Sequence, residues 1–261
     1  MSEDILEITN LSKYFGGLAA VSNCSLKVKK GTITGIIGPN GSGKTTLFNL
    51  IAGNLKTSEG SVRFNNEDIT NVPSYELFSK GLLRTFQIAH EFTNLTVLEN
   101  LMMVPGNQSG EKLMNALLKP SLVAKEENQI KEKAMEVVDF LNLSHLKNEL
   151  AGNLSGGQKK LLELGRTMMV DAKLVLLDEV GAGVNRTLLK DLGTAIEKLN
   201  KKKGYTFCMI EHDMDFIGRL CDPVIVMAEG SVLFEGSVED AKKDEKVIES
   251  YLGRGSKLRG N

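Results

Sequence analysis

A short glycine-rich segment constrains this chain more than any other part of its sequence. Residues 38–45 read GPNGSGKT, which satisfies the spacing G-x-x-x-x-G-K-[S/T]. The apolar run TITGIIG at residues 32–38 predicts a strand before it, and helical periodicity begins near Lys44. Backbone amides and the positive end of a helix can then converge on one anion. The sequence therefore predicts a phosphate-binding loop; without its flanks, the motif would equally fit a glycine-rich turn with an exposed lysine.

The residue types within this segment indicate which group it binds. We expect Lys44 to reach the β- and γ-phosphates of a bound nucleotide, and the Thr45 hydroxyl to ligate Mg²⁺. Glycines let the backbone approach the phosphate oxygens closely. The residues assigned to this loop are Gly38, Pro39, Asn40, Gly41, Ser42, Gly43, Lys44 and Thr45.

A second segment, LSGGQ at residues 154–158, could also bind an anion. Ser155 and Gln158 have the spacing of a capping box and predict a helix that starts there. Gly156 and Gly157 leave two amides that an anion can approach at the N-terminus of that helix. An ordinary serine cap after a flexible loop is the alternative.

Two acidic residues and a histidine follow apolar strands. Asp178 and Glu179 end the run LVLLD at 174–178, where the first can hold the magnesium shell and the second can polarise a water. His212 follows the predicted strand at 205–210 and could donate to the γ-phosphate. In a parallel sheet these residues share one edge with Lys44. Alone, each would fit a solvated side chain at a strand end.

The remaining pattern predicts an α/β fold with two sheets. Alternating residues at 5–9 and 24–28, separated by Gly16-Gly17, predict a small antiparallel sheet. A further strand at 61–66 closes before a polar turn at Glu67-Asp68. Apolar strands that alternate with helices predict a parallel sheet covered on both faces. Those strands are 174–178, 205–210 and 223–227, and the helical stretch is 188–203.

The middle third reads as helical. From about residue 88, apolar residues recur at helical spacing among charged ones. They are Ile130, Ala134, Val137, Val138 and Leu141. Thr96 and Glu99 predict a capping box at the start of a helix. At the end of the chain, residues 253–261 are expected to fray.

Charge and composition exclude some partners. Lys plus Arg number 32 and Asp plus Glu 33, so no overall positive field favours nucleic acid. Cys24, Cys208 and Cys221 are widely spaced, odd in number, and predict reduced, apolar packing residues. Because the first residues are acidic and no apolar run is long enough to cross a membrane, we expect neither a signal peptide nor a membrane-spanning helix. If the protein works at a membrane, we expect another chain to span it.

Taken in order, these segments resemble the ATP-binding cassette of ABC transporters over nearly the whole chain. The matching segments are the Walker A loop at 38–46, the Q-loop residue Gln87 in RTFQ, the LSGGQ signature at 154–158, Walker B at 174–179 and the switch residue His212. The resemblance implies a P-loop NTPase (RecA-like) core, an N-terminal antiparallel β subdomain and an inserted helical subdomain. The core would comprise residues 1–87 and 166–261, and the helical subdomain residues 88–165.

The resemblance also implies roles that the residues alone do not fix. Thr46 joins the phosphate loop, Tyr14 stacks on adenine, and Gln87 contacts magnesium or water. The signature residues Ser155, Gly156, Gly157 and Gln158 face the Walker A loop of a second cassette. ATP would then be held between two subunits, identical or paralogous, with Lys44, Gln87, Glu179 and His212 serving hydrolysis and Thr45, Gln87 and Asp178 serving the metal.

Two departures concern the segment after Glu179. Many cassettes have proline next and a loop that ends in Leu-Asp, whereas this chain has Val180 and Asn185. Asn185 would equally fit a helix cap. Because Glu179 is present, turnover is still expected. An ATP sensor without turnover and a non-transport ABC ATPase remain as alternatives.

Finer similarities point to one group of transporters. Residues 84–103, 182–185, 210–217 and 247–253 look like the LivG group of branched-chain amino-acid importers. Cassettes of urea importers and lipopolysaccharide exporters share parts of this pattern. The resemblance implies a cytoplasmic subunit held at the inner face of the membrane by a permease. The expected permease contacts are Glu91, Phe92 and Leu95. The alternative is that Phe92 and Leu95 pack the helical subdomain.

Overall fold

Alternating apolar residues at the start of the chain build an antiparallel sheet. In a computed structural model, which describes residues 3–85, 92–106 and 108–256, the sheet has the strand order β2-β1-β4-β5. Its strands are β1 (Asp4–Phe15), β2 (Leu18–Lys29), β4 (Glu59–Phe64) and β5 (Glu67–Asp68). Gly16 turns the first hairpin with a φ of 58°. The predicted antiparallel sheet is confirmed, and its first two strands are longer than expected.

One turn prediction for this sheet is wrong. Glu67 and Asp68 form β5, which pairs with β4, and the turn lies at Asn65 and Asn66. Both asparagines have positive φ, 49° and 64°. Asparagine tolerates this left-handed region better than most residues, which is why the chain reverses two residues earlier than predicted.

The second sheet has six strands in the order β10-β9-β3-β8-β7-β6. Its strands are β3 (Ile33–Ile37), β6 (Leu82–Arg84), β7 (Leu174–Asp178), β8 (Thr206–Ile210), β9 (Val224–Ala228) and β10 (Ser231–Gly236). All pairs are parallel except β9 with β10. Strands β3, β7 and β8 are buried at every position, as expected for a sheet covered on both faces. The predicted parallel sheet is confirmed; β6 and β10, its two edges, were not predicted.

Six helices of the described residues lie outside the middle third of the chain. They are α1 (Lys44–Ile51), α2 (Ser74–Lys80), α7 (Arg186–Lys203), α8 (Met214–Leu220), α9 (Val238–Ala241) and α10 (Glu245–Ser256). The predicted helical starts near Lys44 and around 188–203 are confirmed by α1 and α7. Helix α10 reaches Ser256, so the prediction of fraying from residue 253 is wrong for its first four residues.

The middle of the chain is helical, as predicted. Its helices are α3 (Val97–Met102), α4 (Leu113–Leu118), α5 (Pro120–Phe140) and α6 (Gly156–Met168). Helix α5 buries Ala134, Val137 and Val138, members of the predicted apolar stripe. Thr96 and Glu99 form the predicted capping box of α3.

The described residues belong to two compact units. The first draws on Met1–Arg84, Lys173–Gly181 and Ile196–Asn261, and the second on Thr85–Ala172 and Ala182–Ala195. Helix α6 lies wholly in the second unit. The division that the sequence resemblance implies, with boundaries at 87/88 and 165/166, stays a prediction. No helix in the described part of the chain is both long enough and apolar enough to cross a membrane.

Candidate functional site

The loop that joins β3 to α1 requires glycine at two positions. Gly38 has a φ of 146°, and a Cβ there would lie 2.1 Å from the carbonyl oxygen of Met227. Gly43 has a φ of 100°, and its Cβ would lie 2.4 Å from the carbonyl oxygen of Ala20. Because backbone atoms cannot move aside as a flexible side chain can, only glycine fits. The backbone is thus folded tightly around a small space.

The Lys44 side chain is turned into this loop. Its Nζ donates to the carbonyl oxygen of Gly38 at 2.8 Å and to that of Pro39 at 3.1 Å, and lies 3.5 Å from Ser42 Oγ. The side chains of Lys44 and Ser42 are buried, whereas Asn40, Gly41 and Thr45 are exposed and Thr46 is half-buried. The loop therefore holds one positive charge at its centre and presents its tip to solvent, an arrangement suited to receiving an anion.

Asp178 lies at the end of β7 in a buried ion pair. Its Oδ2 is 2.7 Å from Nη2 of Arg84, and the side chains are 4% and 9% exposed. Arg84 Nη1 also donates to Asn49 Oδ1 in α1, at 2.6 Å. One guanidinium thus connects the strand that carries Asp178 with the helix that follows the glycine-rich loop. Sequence reasoning missed Arg84, because its partner is 94 residues away.

Glu179, the next residue, has an unusual backbone. Its φ is 49°, in the left-handed region that residues other than glycine rarely adopt. The Glu179 amide donates to the carbonyl oxygen of Ile210 at 2.9 Å, which fixes the turn against the end of β8. Strained backbone of this kind persists only where its surroundings impose it, and it clusters at functional sites.

The turn brings Glu179 to the predicted switch residue. His212 Nε2 lies 3.0 Å from Glu179 Oε1, with both side chains partly exposed. The sequence placed both residues at one sheet edge but did not predict their direct contact. A neutral imidazole with its proton on Nε2 can donate to the carboxylate, and a protonated one adds an ionic attraction.

Glu211 is a buried carboxyl group that sequence reasoning missed. It is 5% exposed, and its Oε1 accepts the amide proton of Gly181 at 2.7 Å. Burial raises the pKa of Glu211, and the charge of Glu179 adds to the rise; the backbone amides of Gly181 and His212 oppose it. Only its position before His212 could have drawn attention to it.

The predicted capping box at the start of α6 is confirmed. Ser155 Oγ accepts the Gln158 amide proton at 3.4 Å, and Gln158 Oε1 accepts that of Ser155 at 2.9 Å. Ser155 and Gly156 are exposed, while Gly157 is buried. A Cβ on Gly157 would lie 2.6 Å from Leu188 Cδ1, so this glycine serves packing.

The structure places the other predicted site residues as follows. Tyr14 is exposed near the end of β1. Gln87 and Glu91 lie outside the described residues. Phe92 is 49% exposed, and Leu95 is half-buried. The three cysteines are free and buried, as expected, and burial raises the pKa of Cys24 to about 11.

The donors at the sheet edge fit a magnesium ion. Mg²⁺ prefers hard oxygen ligands and usually keeps several waters while it binds one or two carboxylates and substrate phosphates. Asp178 offers one buried carboxylate, and Thr45 offers one exposed hydroxyl. In residues 3–85, 92–106 and 108–256 no three or more His, Cys, Asp or Glu side chains gather in a cluster that could hold a metal. Thr45 and Asp178 are oxygen donors of the kind that suits a Mg²⁺ ion which also binds substrate phosphates.

Comparisons with known proteins show which family this chain resembles. Residues 21–182 match the family model described as ABC transporter. Probable branched-chain amino acid transport ATP-binding proteins LivG from Archaeoglobus fulgidus and Methanocaldococcus jannaschii are 46% and 44% identical, over 95% and 96% of this chain and 95% and 98% of theirs. A crystal structure of the ADP conformation of an ATP-binding cassette of an ABC transporter is 42% identical, with a TM-score of 0.82 over 97% of this chain and all of the other.

The similarity extends over nearly the whole chain and includes its fold. The α/β fold expected from the sequence is that of solved ABC cassettes. The expected parallel sheet is mixed in the structure, because its edge strand β10 pairs antiparallel with β9. The family model alone covers more than half of the residues. This chain belongs to the ABC transporter family, as an ATP-binding and ATP-hydrolysing subunit.

Proposed function

We propose that this subunit hydrolyses Mg-ATP between two cassettes and thereby powers the import of branched-chain amino acids. The observation that carries the catalytic part is the contact between Glu179 and His212 beside Asp178. It joins a candidate base to a hydrogen-bonding side chain at the sheet edge from which the phosphate loop also emerges. The cargo is inferred from the LivG relatives, which match almost end to end.

The phosphates are bound by the loop at 38–46. Lys44 now donates to loop carbonyls. Phosphate oxygens are stronger acceptors than carbonyl oxygens, because a hydrogen bond between two charged groups is stronger than one with a neutral acceptor. Nζ therefore exchanges these carbonyls for the β- and γ-phosphates, and the loop amides and the N-terminus of α1 add further donors. Tyr14, exposed on β1, stacks on the adenine.

Hydrolysis uses Glu179 as the base. Its carboxylate accepts a proton from water as the water oxygen bonds to the γ-phosphorus and the bond to the ADP oxygen breaks. His212 then has the γ-phosphate as an alternative acceptor for its N–H, so that the Glu179 carboxylate can accept the proton of the water. Mg²⁺, held by Thr45, Asp178 and Gln87, supplies charge neutralisation for the phosphates when bound. Arg84 keeps the Asp178 carboxylate in place throughout.

A second cassette completes the site. Ser155 and Gly156 are exposed at the N-terminus of α6, with the Ser155 side chain already ordered by its capping bonds. The exposed N-terminus of α6, a helix of 13 residues, favours an anion. No described residue in the first turn of α6 is acidic. The exposed Ser155 and Gly156 of one subunit therefore contact the γ-phosphate bound by the Lys44 of the other, so that ATP stabilises the dimer and hydrolysis releases it.

The permease is contacted beside Phe92. The side chain of Asn100, fully buried, accepts the Phe92 amide proton at 2.8 Å and donates to the Phe92 carbonyl oxygen at 3.0 Å. Phe92 is thus held outward by its backbone, and the guanidinium of Arg166 lies 5.7 Å from its ring centre. A preorganised, exposed aromatic residue is typical of an interface anchor. With Glu91 and Leu95, Phe92 would hold the cassette at the inner face of the membrane.

Dimer formation is tested by sedimentation velocity of Glu179→Gln, which should bind ATP without turnover. We expect a dimer with Mg-ATP and a monomer with Mg-ADP. The matched variant Glu179→Gln/Ser155→Arg, which places a large side chain at the signature loop, should stay monomeric with both nucleotides. A monomer under all conditions would exclude the composite site.

The cargo is tested in cells that lack the gene for this subunit. Uptake of radiolabelled leucine at low concentration should be lost and restored by the wild-type gene, but not by Glu179→Gln. Phe92→Ala should fail to restore uptake although the isolated protein keeps its ATPase rate. Normal leucine uptake without the subunit would remove branched-chain amino acids as the cargo.

A further inference from the structure

The strained turn at Glu179 is held from both sides by the end of β8. On one side the Glu179 amide donates to the carbonyl oxygen of Ile210. On the other side, two residues later, the Gly181 amide donates to the carboxylate of Glu211 at 2.7 Å. The first restraint is a backbone contact that any sequence would offer. The second depends on one side chain.

Glu211 is placed to act on both members of the Glu179–His212 contact. Its Oε1 accepts from Gly181, on the Glu179 turn, while its Oε2 lies 3.3 Å from the amide nitrogen of His212. One carboxyl group therefore bridges the backbone of the two segments that carry the contact. Glu211 itself is buried, and the Glu179–His212 contact is at the surface.

The buried position of Glu211 is energetically unfavourable for a carboxyl group. Burial disfavours the charged form of Glu211 and raises its pKa. An apolar side chain of similar size would not carry this cost of burying a charge. What an apolar side chain lacks is an acceptor for the Gly181 amide. The left-handed conformation of Glu179 is unfavourable in itself, so it needs such restraints to stay populated.

We propose that Glu211 is a positioning residue for hydrolysis, which holds Glu179 in the left-handed turn through the amide of Gly181. In this conformation the Glu179 carboxylate meets His212. Glu211 does not touch the nucleotide; it sets the fraction of molecules in which Glu179 is correctly placed. The inference rests on the proposed role of Glu179 as the base.

Two substitutions of Glu211 separate the acceptor from the charge. Glu211→Leu removes the acceptor at similar volume, whereas Glu211→Gln keeps an acceptor oxygen and removes the charge. We expect Glu211→Leu to lower kcat by roughly tenfold, because misplacing a reacting group by a small distance costs on that order or more. The KM for ATP should change less than about twofold, since ground-state binding does not use Glu179. Glu211→Gln should keep most of the wild-type kcat.

A merely structural role would give a different pattern. A loss of ATP affinity that parallels the loss of kcat, or a Glu211→Gln variant as slow as Glu211→Leu, would overturn the proposal, as would an unchanged kcat in Glu211→Leu. If Glu211→Leu does not fold, Glu211→Asp replaces it. That variant keeps the charge and withdraws the acceptor by one methylene, and it should also lower kcat at unchanged KM.

A double-mutant cycle tests whether Glu211 acts through Glu179. In the Glu179→Gln background the positioned base is gone, so Glu211→Leu should not slow the residual phosphate release further. An equal fold-change in both backgrounds would show that Glu211 acts elsewhere. The cycle also separates the two hypotheses, because a normal rate in Glu179→Gln alone contradicts the proposed base, whereas a slow rate there with additive effects contradicts only the role of Glu211.

Discussion

The Nε2 atom of His212 lies 3.0 Å from the Oε1 atom of Glu179, although 33 residues separate them in the chain. The contact is possible because β7 and β8 are parallel neighbours, so that the residues after their last paired positions emerge together. The backbone of Glu179 leaves β7 in a left-handed turn and directs the carboxylate to the histidine. The backbone of the chain itself thus orients the proposed base toward His212.

Arg84 should matter for stability far more than a surface cation. Arg84→Met leaves the buried carboxylate of Asp178 without its ionic partner, a change that costs about 3–5 kcal/mol. Lys27→Met is the matched control, because Lys27 pairs with Asp4 and Glu7 on an exposed surface. Thermal unfolding should show a large drop in Tm for Arg84→Met and little change for Lys27→Met. An equal drop in Tm in both variants would mean that the buried ion pair stabilises the protein no more than the exposed one.

The two glycines of the signature loop should differ in their tolerance of alanine. Gly157→Ala places a methyl group 2.6 Å from Leu188 Cδ1 and 2.7 Å from Leu188 Cβ, so it should destabilise the protein by about 1–3 kcal/mol. Gly156→Ala has its nearest neighbour at 3.7 Å, which is ordinary contact. Chemical denaturation of both variants should therefore show a lower midpoint for Gly157→Ala alone. The reverse order would contradict the packing described for α6.

The stability contribution of Glu211 should depend on pH. Its pKa is raised in the folded protein, so between the ordinary value of 4.5 and the folded value the native state binds more protons than the unfolded one. Stability is then lost as the pH rises through that window. Glu211→Gln removes this loss and should have a higher Tm than the wild type at neutral pH, with the difference shrinking toward pH 4.5. A difference that grows on acidification would reverse the sign of the pKa shift.

The exposed ring of Tyr14 should contribute to nucleotide affinity. Because stacking of a base on an aromatic side chain contributes about 1–3 kcal/mol, Tyr14→Ala should weaken ATP binding by roughly tenfold. Tyr14→Phe keeps the ring and should bind normally. Tyr75→Ala removes a more exposed tyrosine elsewhere and should have no effect. Titration with a fluorescent ATP analogue compares the four proteins; unchanged binding by Tyr14→Ala would exclude the stacking role.

What could be predicted from the sequence was local in the chain. The phosphate loop, both capping boxes and strands β3, β7 and β8 each depend on residues within a few positions of one another. Their patterns of glycine, hydroxyl and apolar residues can therefore be recognised from the sequence alone. The edge strands β6 and β10 were missed because a short or half-exposed strand has no clear apolar pattern.

What could not be predicted depends on contacts between distant segments. Arg84 meets Asp178 only because β6 lies beside β7, and a single arginine after two leucines carries no sign of this. Glu211 was overlooked for the same reason, since its importance comes from the amide of Gly181. The left-handed backbone of Glu179 likewise depends on its contacts with the end of β8. Glutamate rarely adopts a positive φ, so the sequence gives no sign of this conformation.

The most direct test of the account is the rate of phosphate release by Glu179→Gln at saturating Mg-ATP. Glu229→Gln is the matched control, because Glu229 follows β9 of the same sheet and has the same φ of 49°, but plays no part in the proposed mechanism. Loss of a general base predicts a fall of at least about a hundredfold for Glu179→Gln and an unchanged rate for Glu229→Gln. A Glu179→Gln protein that releases phosphate at the wild-type rate would contradict the proposed mechanism.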